Sequence, residues 1–290
     1  MIRPVQSHEK LLADIRASNL RDGSFRLWWL GQSGFLLQWN GVHALLDPYL
    51  SDSLTEKYSG TDKPHVRMTE LVVEPAMFSF ADAAASTHNH TDHLDAQTLC
   101  PILAQNPKLK LVIPEANRAF VAERLKIDAD MLVGIDEGMS AEICGIEFVG
   151  VASAHEMVER DEQGRAKYLG YVLRFGGWSI YHSGDTVRYE GMAEKLLPFK
   201  IDVALLPING RAPERRIPGN LFGPEAAQLA KDIGAKLVIP CHYDMFEFNT
   251  ASPGEFIHEC QRLDQPFAVM DCGEQWHSRS LASVDATRFA

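Results

Sequence analysis

The run His88-Asn89-His90-Thr91-Asp92-His93 constrains this chain more than any other stretch. It begins where the apolar segment DAAASTH runs out, and alternation along an extended chain puts His88 and His90 on the same side. The chain then turns, so Asp92 and His93 can point from the turn towards a neighbouring position. Three imidazoles and a carboxylate within six residues are costly to gather unless a cation holds them. Their nitrogen and oxygen donors match zinc and similar divalent metals. A loop that is merely rich in histidine is the plain alternative, and the strand-then-helix setting weighs against it.

The rest of the chain shows what kind of fold carries that run. Residues 8–20 read as an amphipathic helix with Leu11, Leu12, Ile15 and Leu20 on one stripe. From Phe25 the pattern is β: FRLWWLG and FLLQW, then Asn40-Gly41, then VHALLD. Asn-Gly between apolar runs is a two-residue hairpin signal, because both central positions want positive φ. Residues 51–75 are polar, are punctuated by Gly60 and Pro64, and read as a long surface excursion of the kind that carries function.

Strands and helices then alternate. DAAASTH precedes a helix from about Asp95, and KLVIP precedes a helix through EANRAFVAERL. GIEFVGVAS and YLGYVLRF are strands, and Gly176-Gly177 turns the latter into WSIYHS. The last third runs IDVALLP, PEAAQLAKDIG, KLVIP, SPGEFIHECQRL, PFAVM. Pro224 suits a first helical turn, Gly234 a helix end, and Ser252 with Glu255 a capping box. The order β-rich, βα, β-rich, βα predicts an α/β chain of four layers, an αββα sandwich. No linker divides it, so residues 1–290 read as one domain, with 1–24 as an N-terminal helical extension.

Composition excludes several roles. The net charge of -11, from 39 acidic and 28 basic residues, repels phosphate backbones and anionic lipid heads. Nucleic acid and membranes are therefore not expected partners; a small molecule is, and homo-oligomerisation stays open. Cys100, Cys144, Cys241, Cys260 and Cys272 are scattered and odd in number, which fits a reducing compartment. The first twenty residues hold no continuous apolar stretch, and no run approaches the roughly 20 residues of a membrane span. A soluble cytoplasmic protein is the expectation.

Four further motifs follow apolar strands: Asp47 in LLDPYLSD, His155 in ASAHE, Asp185 in YHSGDT and His242 in VIPCHYD. With the 88–93 run, these ordered motifs resemble the metallo-β-lactamase superfamily over residues 27–272. The resemblance implies that family's fold and two metal positions. His88, His90 and His155 would hold one, Asp92, His93 and His242 the other, and Asp185 would bridge them. It implies a hydroxide between the cations, with Asp92 and Asp185 central to catalysis. Manganese or zinc are the first expectations; iron and nickel also suit these donors. Asp47 fits a carboxylate that holds the free ring N–H of a ligating histidine, or else a turn residue before Pro48. Asp95 could serve likewise, though a helix N-cap suits it equally.

Other residues get plainer readings. His182 reads as packed or hydrogen-bonded within its strand and Cys241 as a small buried hydrophobe, while Trp28, Trp29 and Trp39 read as core. His8, His43, His258 and His277 get no role. Within the superfamily, WLGQSGF (29–35), YHSGDT (181–186), IDVALLPING (201–210) and AKLVIPCHYDMF (235–246) resemble the L-ascorbate-6-phosphate lactonase-like branch. That branch implies hydrolysis of a cyclic ester on a small phosphorylated substrate. Tyr243 departs from it, standing where that lactonase has a second histidine. The loop 209–220 departs too, and offers Asn209, Arg211, Arg215 and Arg216 beside Tyr243 as candidate substrate contacts; arginines there suit a phosphate or carboxylate. A solvated loop with salt bridges is the alternative. His65 and Arg67 are weaker candidates for the same pocket.

The expected function is thus a metal-dependent hydrolase that opens a lactone or phosphoester of a small anionic substrate. A phosphodiesterase acting on cyclic nucleotides or lipid phosphodiesters is the second enzymatic reading. Redox chemistry of the diiron flavoprotein type is disfavoured, since those proteins have glutamate where His90 stands. A non-catalytic metal-binding module would be expected to lack some of the ligands.

Overall fold

A computed structural model describes residues 1–18, 21–212 and 219–281. The elements of the first half are α1 (His8–Ala17), β1 (Phe25–Gly31), β2 (Gly34–Trp39), β3 (Val42–Leu46), α2 (Ser53–Lys57), β4 (Ala83–Ala85), α3 (Ala96–Gln105), β5 (Lys110–Pro114), α4 (Arg118–Leu125) and β6 (Leu132–Ile135). The second half adds β7 (Ser140–Ile143), β8 (Ile146–Ala152), β9 (Leu169–Phe175), β10 (Trp178–His182), α5 (Met192–Leu196), β11 (Val203–Pro207), α6 (Gly223–Asp232), β12 (Leu237–Cys241), α7 (Gly254–Arg262) and β13 (Gln275–His277).

Two mixed sheets result. The first has seven strands in the order β13-β1-β2-β3-β4-β5-β6, and the second six in the order β12-β11-β10-β9-β8-β7. In each sheet an antiparallel meander passes into parallel strands, which come from the βα repeats seen in the sequence. One continuous apolar core takes residues from both sheets, from Leu45 and Val112 of the first to Leu173 and Ile239 of the second, and from helices α3, α6 and α7. This is the layering that the αββα expectation requires. Because each strand is covered on both faces, β1, β4 and β11 are buried at every position rather than alternating.

Local chemistry explains the connections. Asn40 (φ 49°) and Gly41 (φ 88°) both take the left-handed conformation that a tight hairpin demands, as do Gly176 and Gly177. Helix α6 has Pro224 in its first turn, and the Glu225 carboxylate accepts from the Phe222 N–H (3.0 Å). The N-terminal helix buries Leu11, Leu12 and Ile15 in the same core; Leu20, expected on that stripe, lies outside the described residues.

Three details differ from the sequence reading. The capping box at Ser252 is not formed: α7 starts at Gly254, and only Ser252 Oγ accepts, from the Gly254 N–H (3.3 Å). PFAVM contributes one bridge, Phe267 to Val238, rather than a strand. Strands β6, β7 and β13 were not anticipated; at three or four residues each they are too short for periodicity to register.

What matters for the site is where strands stop. Asp47 follows β3, His88 follows β4, His155 follows β8, Asp185 follows β10 and His242 follows β12. Loops from both sheets therefore meet at one end of the sandwich.

Candidate metal centre

The 88–93 segment is a turn locked at both ends. The N–H groups of His93 and Leu94 donate to the His90 carbonyl (3.1 and 2.8 Å), and Asp95 then caps α3, its side chain accepting from Gln97 N–H (3.3 Å). Asp95 also accepts from the hydroxyls of Ser51 and Thr98, at 2.6 Å each. It is thus the N-cap and turns away from the cluster. Arg124 donates to the carbonyls of Asn89 (2.6 Å) and Leu94 (3.2 Å), tying the turn to α4.

Two groups of donors converge beside this turn. His88, His90, His155 and Asp185 each offer one atom, all within 4.8 Å of one another, and Asp92, His93 and His242 form a second such group. Asp185 lies between them. Its Oδ1 is 3.2 Å from His93 Nε2 and 3.6 Å from His242 Nε2, while Oδ2 is 3.8 Å from His155 Nε2. His88 Nε2 is buried with no hydrogen-bond partner, and buried His93 Nε2 and Asp185 Oδ1 have only each other's charge, without a well-formed hydrogen bond. Leaving such atoms unpaired inside a protein costs about 1–3 kcal/mol each. Divalent cations would satisfy them, and the nitrogen and oxygen donor set suits that charge. The seven residues fit a metal pair.

Three of the ligand rings, His88, His93 and His155, are held from behind. Asp47, fully buried, accepts from the Thr87 N–H and hydroxyl (2.7 Å each), with His93 Nδ1 at 2.7 Å and His182 Nε2 at 2.9 Å. His155 Nδ1 lies 3.0 Å from the Gly219 carbonyl, and His88 Nδ1 3.1 Å from the Thr87 hydroxyl. Such partners set ring orientation and leave Nε2 for the centre. Asp47 and His242 both sit at positive φ (41° and 65°), which re-aims these side chains at the ends of their strands. His182 is buried and bonded to Asp47, in keeping with its plain reading.

The charge pattern divides the site. Burial, and then the neighbouring rings of His93 and His90, press His88 well below its ordinary pKa; burial and the His155 ring push His90 down to about 4. Burial opposes protonation of His93 and His242 too. For these, however, Asp185 together with Asp92, and for His93 also Asp47, wins: His93 rises well above its usual value and His242 reaches about 9. Burial likewise opposes ionisation of the three carboxyls, yet the facing rings hold Asp47 at about 2 and keep Asp92 and Asp185 well below the usual carboxylate range. Three carboxylates, Asp47 and Asp185 buried and Asp92 at the cavity wall, thus draw positive charge to this spot. A bound cation would displace those protons, because a ligating imidazole must be neutral.

A cavity of about 320 Å³ opens over the donors, with Asp92, Asp185 and His242 among its walls. The 51–75 excursion supplies part of its rim, including Lys57, Tyr58, Lys63 and His65. His65 therefore lies where expected, whereas Arg67 is turned away: it pairs with Asp52 (2.6 Å), donates to the Ser51 and Thr69 carbonyls, and lies over the Tyr49 ring.

The substrate contacts expected from the 209–220 loop and Tyr243 need correcting. Arg211 makes a two-pronged pair with Glu225 (2.6 and 2.7 Å) and stacks on Phe222, so its guanidinium is already satisfied away from the cavity. Tyr243 is buried, with its ring on Trp29 (centroids 4.4 Å apart) and its hydroxyl donating to the Met270 carbonyl. Asn209 stands behind the wall, linked to Asn249 (2.9 Å) and Asn220 (3.0 Å), and it is these two that line the cavity. Arg215 and Arg216 lie outside the described residues.

Gln32 was missed by the sequence reading. Its Nε2 donates to Asp92 Oδ2 (2.8 Å) and sits 3.1 Å from His242 Nε2, while its own carbonyl accepts from the His242 N–H (2.9 Å). Gln32 follows β1 at φ 52°, flanked by Gly31 and Gly34, a strand-end setting of the same kind as the metal motifs. That setting was the available signal.

Comparison with known proteins places these features. The β-lactamase superfamily domain matches residues 45–243, which include all seven donors. A UPF0173 metal-dependent hydrolase of Methanosarcina mazei is 27% identical over 260 residues, 86% of this chain and 96% of that protein. Among solved structures, the metallo hydrolase Igni18 of Ignicoccus hospitalis superposes with a TM-score of 0.64 at 22% identity, covering 88% of this chain and 98% of that one. A possible metal-dependent hydrolase of Veillonella parvula does so with a TM-score of 0.70 at 18% identity, covering 87% and 98%.

Proposed function

The chain belongs to the β-lactamase superfamily, and from that premise we propose that this metal-dependent hydrolase opens a lactone or phosphoester of a small anionic substrate. One observation carries the reading: seven nitrogen and oxygen donors converge, some without any other partner, and five of them, His90, Asp92, His155, Asp185 and His242, line a cavity whose walls include Lys57 and Lys63. His88, His90 and His155 would hold one cation, Asp92, His93 and His242 a second, with Asp185 between them. Such cations lower the pKa of water and polarise a carbonyl or phosphoryl oxygen.

The chain's own residues do the rest. Asp47 keeps the His93 ring oriented, Asp185 neutralises charge between the two donor groups, and Lys57 and Lys63 bring positive charge to the rim. Together with the segments WLGQSGF and AKLVIPCHYDMF, these lysines support a lactonase-like reaction on an anionic substrate. No helix among the described residues is long and apolar enough to cross a membrane, and all five cysteines are free. The unpaired thiols support work in the cytoplasm.

The test is to purify the protein without added metal and measure its metal content. Lactones and phosphodiesters are then screened, with Asp92→Asn and His242→Ala as controls. Bound metal, and turnover lost in both variants, are expected. A metal-free protein, or activity indifferent to both changes, would overturn the reading. Turnover of phosphodiesters alone would move the substrate class from lactone to phosphodiester.

A further inference from the structure

The cavity has two unlike sides. One is the donor cluster; the other is a wall of rings contributed by two segments far apart in sequence. Tyr58 and His65 come from the 51–75 excursion and stack on each other, with centroids 4.4 Å apart and planes at 24°. Phe246 and Phe248 come from the loop after His242, and each meets the His65 ring, at 5.2 and 5.9 Å. All four line the cavity, as does Leu54. Beneath them lies a small apolar cluster separate from the main core, made of Tyr49, Leu54, Met245 and Phe246 with Tyr58 packed against it.

This wall does more than glue the excursion down. Phe246 is fully buried and supplies that anchorage, whereas Tyr58 and Phe248 are only half-buried while bordering the cavity. Their remaining apolar surface borders a space lined opposite by the donor cluster, with the Lys57 ammonium at the edge of the wall, 5.2 Å from the Tyr58 ring centroid. A ligand held at the donor cluster covers that surface only if the part away from its reacting group is itself apolar. Flat groups gain most, because ring faces and edges attract beyond the area they bury.

We propose that the substrate is amphipathic: its hydrolysable anionic group sits at the donor cluster, and a flat apolar group, aromatic or conjugated, packs on Tyr58 and Phe248. This specificity reading rests on the hydrolase assignment for the substrate's identity as an ester or lactone, but the binding preference is measurable without turnover.

The experiment compares phenylphosphonate with methylphosphonate on the metal-loaded protein by titration calorimetry. The two probes share an anionic head and differ in the ring. The phenyl compound is expected to bind about tenfold more tightly, and Phe248→Ala and Tyr58→Ala are each expected to shrink that ratio to about threefold or less. Phe248→Leu keeps apolar volume for the underlying packing and is expected to fall between. Thermal melts of each variant separate loss of the ring from loss of fold. Equal affinity of the two probes, failure of both to bind, or a ratio untouched by the Phe248 variants would overturn the proposal. Failure of the hydrolase reading looks different: the ring preference would persist while no lactone or phosphodiester is turned over.

Discussion

The donor cluster and the aromatic wall face each other across one cavity, and they are held in opposite ways. At the donor cluster His88, His93, His155, Asp185 and His242 are all buried, and several rings are fixed from behind by Asp47, Thr87 or a backbone carbonyl. The loops that carry them grow directly from strands of the main core. The wall instead rests on a satellite cluster and on the five-residue helix α2. Arg67 is its main tie, joining Ser51, Asp52 and Thr69 and lying over Tyr49. Chemistry needs donors placed to a fraction of an ångström, so it sits on the rigid part. Substrate preference sits on a part that can be altered without disturbing the core.

That contrast can be broken at either end, and the expected effects fall in size from the donors outward. Asp92→Asn removes a charged donor shared by two histidines. It should lower kcat by more than the roughly 10–100-fold typical of residues that merely support a ligand, and metal analysis should show the loss of one cation per chain. Asp47→Asn leaves the donors intact but exchanges the acceptor of both His93 and His182. Metal affinity should fall by about 10–100-fold in a competition with chelator. A fall confined to melting temperature, with metal affinity unchanged, would make Asp47 purely structural.

Gln32→Leu removes one hydrogen bond to a charged carboxylate, and kcat should drop by about tenfold, the scale of a single charge-assisted bond. Arg67→Met crosses to the wall. There KM should rise by about threefold with metal content unchanged; a fall in metal content instead would show that wall and centre are one mechanical unit. Arg211→Ala is the smallest. Its guanidinium is held by Glu225 in an exposed pair outside the cavity lining, so KM for an anionic substrate should change by less than about twofold.

The donors of the 88–93 run were legible because they cluster in sequence, while His155, Asp185 and His242 were reached because their strand-end motifs resemble those of a known superfamily. The same logic reached Asp47. Gln32 was passed over since an amide is not a usual ligand, and only its 2.8 Å approach to Asp92 reveals it. The misreading of Arg211 has a plain cause. A guanidinium in a loop looks available in sequence, and Glu225, fourteen residues on, cannot be assigned to it from spacing alone. Tyr243 misled in another way: next to His242 in sequence, it points into the opposite layer, onto Trp29.

By itself, then, the sequence determined the order of the longer strands and helices, the two hairpin turns and the metal-ligand character of the 88–93 run, because periodicity, φ preference and ligand chemistry are local properties. Tertiary structure decided which carboxylate stands behind which ring, which arginines are already paired, and that Tyr58 and His65 meet Phe246 and Phe248 across nearly two hundred residues. Those depend on how two sheets bring distant loops to one end of the molecule, and no window along the chain contains that information.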